Sequence, residues 1–263
     1  MTQADVAMLV VSCDKYKCWW AIFFDRLDKY WPSCGLKVYL LSNADRYERD
    51  GVINIRTGED LDWSSNLLFA LDRIQEDSVL LMLEDAPLAT SVDAEAFTDH
   101  LQTFARLEMD YLNLKASPKP VGSAEDGYGT YPSALLYRAA LVPCLWKKEV
   151  LKSILICGES AWQFEIRGSA RSSQFTRFYA LQKPFFRILH CVIEGRINRS
   201  AYRVLKSTGE IRQVNFKQMA IPHALSLAAK VAASKLGNML LGKHKAKIRT
   251  FYFTHVSPRP EWI

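Results

Sequence analysis

Val79-Leu80-Leu81-Met82-Leu83-Glu84-Asp85 is an apolar run that ends abruptly in two adjacent carboxylates. A continuous apolar run of this kind suits a strand covered on both faces, as in a parallel or mixed sheet packed between helices. Ligands of open α/β sheets gather at the carboxyl ends of such strands. Two carboxylates at that edge can hold a hard divalent cation that bridges phosphate oxygens. The plainer role for Glu84 and Asp85 is to cap the following turn, with Pro87 fixing the bend.

Working outward, the pattern on either side repeats the alternation of strand and helix. Residues 5–11 form an apolar strand followed by a polar turn at Ser12, Asp14 and Lys15. Trp19, Trp20, Ile22, Phe23, Phe24 and Leu27 recur at helical spacing over 18–30, and Trp31-Pro32 ends that helix. Residues 37–43 and 52–55 are two further strands, so strand, helix, strand opens a right-handed parallel unit. Asp62 or Ser64 caps a helix from Ser65 to about Ile74, which feeds directly into the Val79 strand. A helix over 93–107, capped by Asp93 or Ser91, leads to a strand at 111–114. Residues 117–133 hold three prolines and three glycines and read as a long surface loop of the binding type. A strand over 139–146, a helix over 148–156, a helix opening at Glu159 and continuing to Gln174, and a short strand and turn at 191–196 complete this part.

The chain has 263 residues and 49% hydrophobic content, enough for one substantial core or one core with a small appendage. Its apolar runs fall well short of the roughly 20 residues of a spanning helix, and the N-terminus lacks the regions of a signal peptide. The six cysteines are scattered and read as reduced thiols; Cys13 and Cys18 make only a weak metal pair. The net charge of +6 hides an asymmetry: residues 1–165 carry 16 basic and 25 acidic side chains, residues 166–263 carry 18 and 3. A basic half attracts polyanions, whether membrane surface, nucleic acid or diphosphate. Beyond Pro222 an alanine-rich stretch free of proline predicts a helix, followed by a basic cluster at 243–249. This end can rest on anionic headgroups with Phe251, Tyr252, Phe253 and Trp262 at the interface, or pack on the core with its cations at the helix C-terminus.

Taken in order, the strand ending at Ser12, the aromatic helix Trp19-Trp20 to Trp31-Pro32, the strand Tyr39 to Asn43, Trp63-Ser64, Leu83-Glu84-Asp85 and Trp162-Gln163-Phe164-Glu165 resemble bacterial GT-A-type glycosyltransferases of polysaccharide and O-antigen gene clusters. The resemblance implies a Rossmann-like α/β fold, with a mixed, mostly parallel sheet flanked by helices and a basic C-terminal helical extension. It divides the chain into a nucleotide-sugar-binding catalytic domain over 1–221 and a basic amphipathic helix and tail over 222–263. Ser12, Asp14, Asn43 and Trp63 become donor contacts, together with Glu84 and Asp85. Leu83-Glu84-Asp85 occupies the place of the family's Asp-x-Asp motif but lacks its spacing, which sets a Mn2+ or Mg2+ requirement in question and makes Asp85 the better metal ligand, ahead of Glu84. Glu165 occupies the place of the inverting base that takes the acceptor's proton, and Glu159 is the second candidate. Arg167, Arg171, Arg177 and Lys183 are the nearest cations to offset a departing diphosphate, although solvated surface charge is the commoner role.

The resemblance thus implies an inverting transferase that moves a sugar from a nucleotide donor, a UDP-sugar foremost, to a glycan or lipid-linked acceptor. It places the protein in the cytoplasm, with peripheral attachment to the inner face of the cytoplasmic membrane through the C-terminal helix. Two readings compete: a non-catalytic, membrane-docked assembly protein with a degenerate transferase fold, and a nucleic-acid-binding protein, which no RNA motif, helix-turn-helix or zinc spacing supports.

Overall fold

A computed structural model of the protein describes residues 5–220, apart from 126, 142, 215 and 216. The chain divides after Leu189 into two compact units. In the first, strands β1 (Val6–Val11), β2 (Lys37–Ser42), β3 (Val52–Arg56) and β4 (Ser78–Leu83) alternate with helices α1 (Trp20–Tyr30) and α2 (Trp63–Leu71). Then come α3 (Ala94–Arg106), β5 (Tyr111–Asn113), β6 (Val121–Glu125), β7 (Tyr128–Thr130), β8 (Cys144–Lys147), α4 (Lys148–Ile154), α5 (Ala161–Arg171) and β9 (Phe178–Leu181). The nine strands form one sheet in the order β3-β2-β1-β4-β8-β5-β9-β7-β6. All but β7 and β8 run in the same direction, so the sheet is mixed and mostly parallel, as expected.

The two faces of the sheet read directly from the alternation of its side chains. Met8, Val10, Leu40, Leu80 and Met82 face α1 and α3, whose Phe23, Phe24, Leu27, Phe97, Leu101 and Phe104 cover them. Ala7, Leu9, Leu41, Val79 and Leu81 face the other way, under Leu67 and Leu71 of α2, Leu151 and Ile154 of α4 and Phe164 of α5. With helices on both faces, β1 and β4 need apolar residues at every position, which explains their unbroken runs. α1 stops where its C-terminal Trp31 packs edge-on against Phe97 at 4.7 Å and Pro32 cannot continue the helix. Asp62 caps α2 through the Ser65 amide at 2.9 Å, and Asp93 caps α3 through the Ala96 amide at 3.0 Å.

Four stretches depart from the expectation. The segment 117–133 is not a plain loop but holds the β6–β7 hairpin, whose β7 pairs antiparallel with β9. Its prolines and glycines hid the strands, and Gly129 is required there by crowding: a Cβ would lie 2.7 Å from Pro120 Cβ and 2.8 Å from the Gly122 carbonyl. β9 itself was not foreseen, being only four residues long behind a polar, Arg-bearing stretch. The strand expected over 139–146 is confined to β8, because residues 139–141 bond to α5 instead of a ladder: the Ala139 amide donates to Ser169 Oγ at 2.9 Å and the Leu141 amide to Glu165 Oε1 at 3.3 Å. The helix expected to run to Gln174 ends at Arg171, with one 3-10 turn beyond it.

In the second unit, β10 (Val192–Ile193) and β11 (Arg196–Ile197) form an antiparallel hairpin. Glu194 and Gly195 both take positive φ, of 50° and 69°, as a two-residue hairpin turn demands. Helix α6 (Arg199–Ser207) follows, capped by Asn198. The expected basic helix after Pro222, and with it the boundary between 221 and 222, lie outside the described residues.

Leu81 is fully buried beneath α2 and α4, and truncating it leaves a void that the packed layers cannot close. Leu81→Ala is expected to lower unfolding free energy by about 3 kcal/mol in urea titration, with an unchanged m-value.

Candidate functional site

The register of the sheet brings its functional residues to one edge. Val11 pairs with both Leu41 and Leu83, and Ser42 with Arg56, so β1 to β4 all end together. Asn113 pairs with both Cys144 and Ala180, which carries the same edge across β5, β8 and β9. Ser12, Asp14, Asn43, Trp63, Glu84 and Asp85 all follow the strand ends of the parallel half, and Glu165 bonds the loop that enters β8.

Several of these residues shape the rim. Asp14 Oδ1 accepts the Asn43 amide at 3.0 Å, and Oδ2 accepts the amides of Ala44 and Asp45 at 2.9 and 3.1 Å. In return the Asp14 amide donates to Asn43 Oδ1 at 3.1 Å, and Asn43 Nδ2 reaches Thr57 Oγ1 at 3.3 Å. This latch ties the ends of β1, β2 and β3 and occupies both oxygens of Asp14. Ser12 Oγ accepts the Trp20 indole N–H at 2.7 Å and donates to the Cys13 carbonyl at 3.3 Å. Trp63 packs on Phe164 with ring centres 5.4 Å apart, joining α2 to α5. The opening of α2 is not a free anion site: the Ser64 amide donates to the Glu159 carbonyl at 3.1 Å and the Ser65 amide to Asp62.

Glu84 and Asp85 stand apart from this latch. They form the centre of a tight turn closed by the Ala86 amide on the Leu83 carbonyl at 3.0 Å. Glu84 is only 6% exposed. Burial pushes the Asp85 carboxyl up to about 6. It drives Glu84 well above the usual carboxylate range, with the charge of Asp85 adding to the effect. Among the described residues, no cation appears among the charges acting on either group. Two neighbours share the same field: Cys13, which the sequence offered only as a weak metal partner of Cys18, and Tyr16, which it did not single out. The Cys13 thiol is pushed up to about 11 by burial and by Glu84, and the Tyr16 hydroxyl to about 12 by burial, Asp85 and Glu84. Asp60 lies on this side as well, its Oδ1 accepting Asn66 Nδ2 at 2.7 Å. Among the described residues, no group of three or more His, Cys, Asp and Glu side chains is arranged to hold a metal. The adjacent Glu84 and Asp85 are hard oxygen donors and suit a divalent cation only as a partial ligand set, completed by phosphate oxygens or water.

The two candidate bases separate clearly. Glu159 is 4% exposed, and its oxygens take Arg171 Nη1 at 3.0 Å and Nη2 at 2.5 Å, with Arg167 3.7 Å away. Such a bidentate pair commits both oxygens to the fold. Glu165 lies one turn into α5, behind the Ser160–Gln163 capping box. Only its Oε1 is engaged, by the Leu141 amide, and burial raises its carboxyl while Lys115 pulls it down. Of the arginines considered for a departing diphosphate, Arg171 and Arg167 serve Glu159, and Arg177 pairs with Glu108 at 2.6 Å and Asp110 at 3.5 Å. A groove of about 710 Å³ runs along β2 and β3 from Asn43 and Thr57 past Ile53 to Arg73. It meets the rim at Asn43, and none of Glu84, Asp85 and Glu165 lines it.

No known family and no curated protein matches the chain. Among solved structures, a UDP-glucose pyrophosphorylase complexed with UDP-glucose superposes with a TM-score of 0.51 at 8% identity, over 77% of this chain and 98% of its own. S. aureus TarS 1-349 gives 0.47 at 14% identity over 69% of this chain and 59% of its own length. The mannosyltransferase PcManGT from Pyrobaculum calidifontis, in complex with GDP-Man and Mn2+, gives 0.47 at 12%, over 80% and 62%. The chain thus spans about three fifths of the TarS fragment. At these identities the pyrophosphorylase match speaks to the fold alone, the Rossmann-like α/β architecture already described.

Two outcomes follow from the charges. Because Asp85 binds its proton more tightly folded than unfolded, stability falls as pH rises from about 4 through 6. Asp85→Asn is therefore expected to match the wild type at pH 4 and exceed it at pH 8, by on the order of 2 kcal/mol in denaturant titration. Glu159→Gln, which strands the Arg171 guanidinium, is expected to lose about 3 kcal/mol at pH 7 in the same measurement.

Proposed function

We propose that this protein is a glycosyltransferase that uses a nucleotide-sugar donor, with inverting stereochemistry and a glycan or lipid-linked acceptor. The observation that carries this reading is the Glu84–Asp85 pair at the end of β4: a buried carboxyl beside a half-buried one, with no cationic partner among the described residues. Such a pair is stable when something positive or protonated completes it, and a cation-bound diphosphate meets that demand. When bound there, a divalent cation would neutralise charge on the leaving nucleoside diphosphate. Asp85 and Glu84 are the residues that would hold it. The rim latched by Asp14 and Asn43 supports the nucleoside side of the donor, and Trp63 offers an aromatic wall.

Glu165 is the base in this reading, having one carboxylate oxygen free of the fold, whereas Glu159 has none. Its carboxylate takes the proton of the acceptor hydroxyl as that oxygen attacks the anomeric carbon. The bond from that carbon to the diphosphate oxygen breaks, and its electron pair leaves with the nucleoside diphosphate. A nucleotidyl transfer, the reaction that the pyrophosphorylase's name implies for that protein, is less well served here. The turn after β1, Ser12 to Lys17, contains no glycine to bring a row of amides against a triphosphate.

The test is release of nucleoside diphosphate from a panel of UDP-, GDP- and CDP-sugars, with Mn2+, Mg2+ or EDTA. One donor is expected to turn over slowly, and Asp85→Ala is expected to abolish both turnover and the cation's thermal shift. Glu165→Gln is expected to reduce turnover about 100-fold or more while leaving donor binding intact. Formation of nucleoside triphosphate from the same donors and pyrophosphate would point to nucleotidyl transfer. No turnover and no donor-induced thermal shift across the panel would sink the enzymatic reading altogether.

A further inference from the structure

The groove beside β3 has no role in the proposed reaction. β3 is the outer strand of the sheet and pairs with β2 on its inner side. Every residue over 53–58 lines the groove, so it follows the outer edge of the strand; a groove on one face would show alternate residues. The Thr57 amide donates to the Ser42 carbonyl at 3.1 Å, which fixes the alternation along β3. Ile53 and Ile55 bond toward β2, and the amides and carbonyls of Asn54 and Arg56 face outward. Among the described residues, no backbone partner other than β2 reaches those outward groups. The loop before β3 is held by the Asn54 side chain instead, with Oδ1 accepting the Tyr47 amide at 2.8 Å and Nδ2 donating to the Tyr47 carbonyl at 3.0 Å. Ile53 on this edge is 45% exposed.

The groove is also positive. Arg56 and Arg73 line it, and no Asp or Glu does. The Arg73 guanidinium lies 3.3 Å from the centre of the Phe69 ring and donates from Nη1 to the Phe69 carbonyl at 3.0 Å, while Arg56 Nη1 donates to the Ala44 carbonyl at 3.3 Å. Among the described residues neither arginine has a carboxylate partner. Acids close by are answered elsewhere: Asp72 by Lys152 at 3.0 Å, and Glu76 by Lys37 at 2.8 Å.

We propose that the β3 edge is a docking site for an acidic peptide in extended conformation, which adds to the sheet as a further strand. Its amides and carbonyls pair with those of Asn54 and Arg56, its carboxylates meet Arg56 and Arg73, and an apolar side chain between them covers Ile53. Main-chain pairing supplies the affinity, and the arginines select the sign of the partner. A second copy of this chain fits less well, because two such edges bring arginines together with no carboxylate between them. A polyanion without a peptide backbone answers the arginines but does not match the alternation of donors and acceptors along the strand. The inference is independent of the proposed transfer, since none of Glu84, Asp85 and Glu165 lines the groove. The groove meets the rim at Asn43, so a docked segment holds whatever carries it beside the candidate site.

The probe is a fluorescent, end-blocked hexapeptide of alternating glutamate and valine, titrated against the full-length protein and followed by anisotropy. Binding is expected with a Kd below about 1 mM, and about tenfold or more weaker when the glutamates are replaced by lysines. N-methylation of alternate amides is expected to abolish binding on one edge of the peptide and to be tolerated on the other. Hydrogen exchange at the Asn54 and Arg56 amides is expected to slow when the peptide is bound. The double variant Arg56→Glu with Arg73→Glu is expected to reverse the preference in favour of the lysine peptide, a result that an unfolded protein cannot give. Absence of binding, equal binding of the two peptides, tolerance of methylation on both edges, or an unchanged preference in the double variant would each overturn the proposal. A dimer of the peptide-free protein in sedimentation, with the same two amides protected, would assign the edge to a second copy and overturn it as well.

Discussion

A strand that is buried on both faces carries low dielectric to its very end. β4 lies between β1 and β8 in a sheet covered by five helices, α1 and α3 on one face and α2, α4 and α5 on the other, and Glu84 after Leu83 is still buried. Glu84 and Asp85 are acidic there at a cost, because the same packing that holds the sheet together disfavours their ionised forms. A charge placed against that gradient is retained where something outside the fold completes it, which is the physical reason that strongly displaced groups concentrate at sites. The whole reading of the edge follows from that one constraint.

The acids of this edge divide according to whether the chain itself supplies their counter-groups. Asp14 is saturated by three backbone amides, and Glu159 is gripped by Arg171 from one side and approached by Arg167 from the other. Both behave as structural joints: one closes the rim of β1 to β3, the other locks the start of α5 to its own last turn. Glu84, Asp85 and the second oxygen of Glu165 lack such closure. Arg138, the most deeply buried guanidinium, is likewise spent internally, on the Tyr131, Ser172 and Phe175 carbonyls and the face of Phe178. Among the described residues, Arg138, Arg167, Arg171 and Arg177 are engaged away from the acidic turn.

The parts of the fold legible in the sequence are those whose signal is local. The β1 and β4 runs, the aromatic stripe of α1 and the caps Asp62 and Asp93 each rest on residues a few positions apart, and they fall where expected. β7 and β9 escaped because they pair with each other across some fifty residues, and Pro118, Pro120 and Gly129 mask the β6–β7 hairpin. At the site the same division holds. The carboxyl edge and Glu84–Asp85 came from the run itself, whereas the Asp14–Asn43 latch spans 29 positions and the Leu141–Glu165 bond spans 24. Glu159 and Glu165 carry equal weight in sequence, and what distinguishes them is Arg171, twelve residues from Glu159.

Among the described residues, Glu165 has the Leu141 amide on one oxygen, whereas the turn at Glu84 and Asp85 has no cation acting on it. At Glu165 burial raises the carboxyl, and the Leu141 amide on Oε1, with a smaller contribution from Lys115, lowers it. Among the described residues no cation acts on Glu84 or Asp85, and burial makes both carboxyls hold their protons more tightly than usual. A diphosphate approaching alone would meet like charge and be repelled; accompanied by a hard cation it would be drawn in. In the proposed transfer the uncompensated pair would therefore take the charged donor together with its own counter-ion.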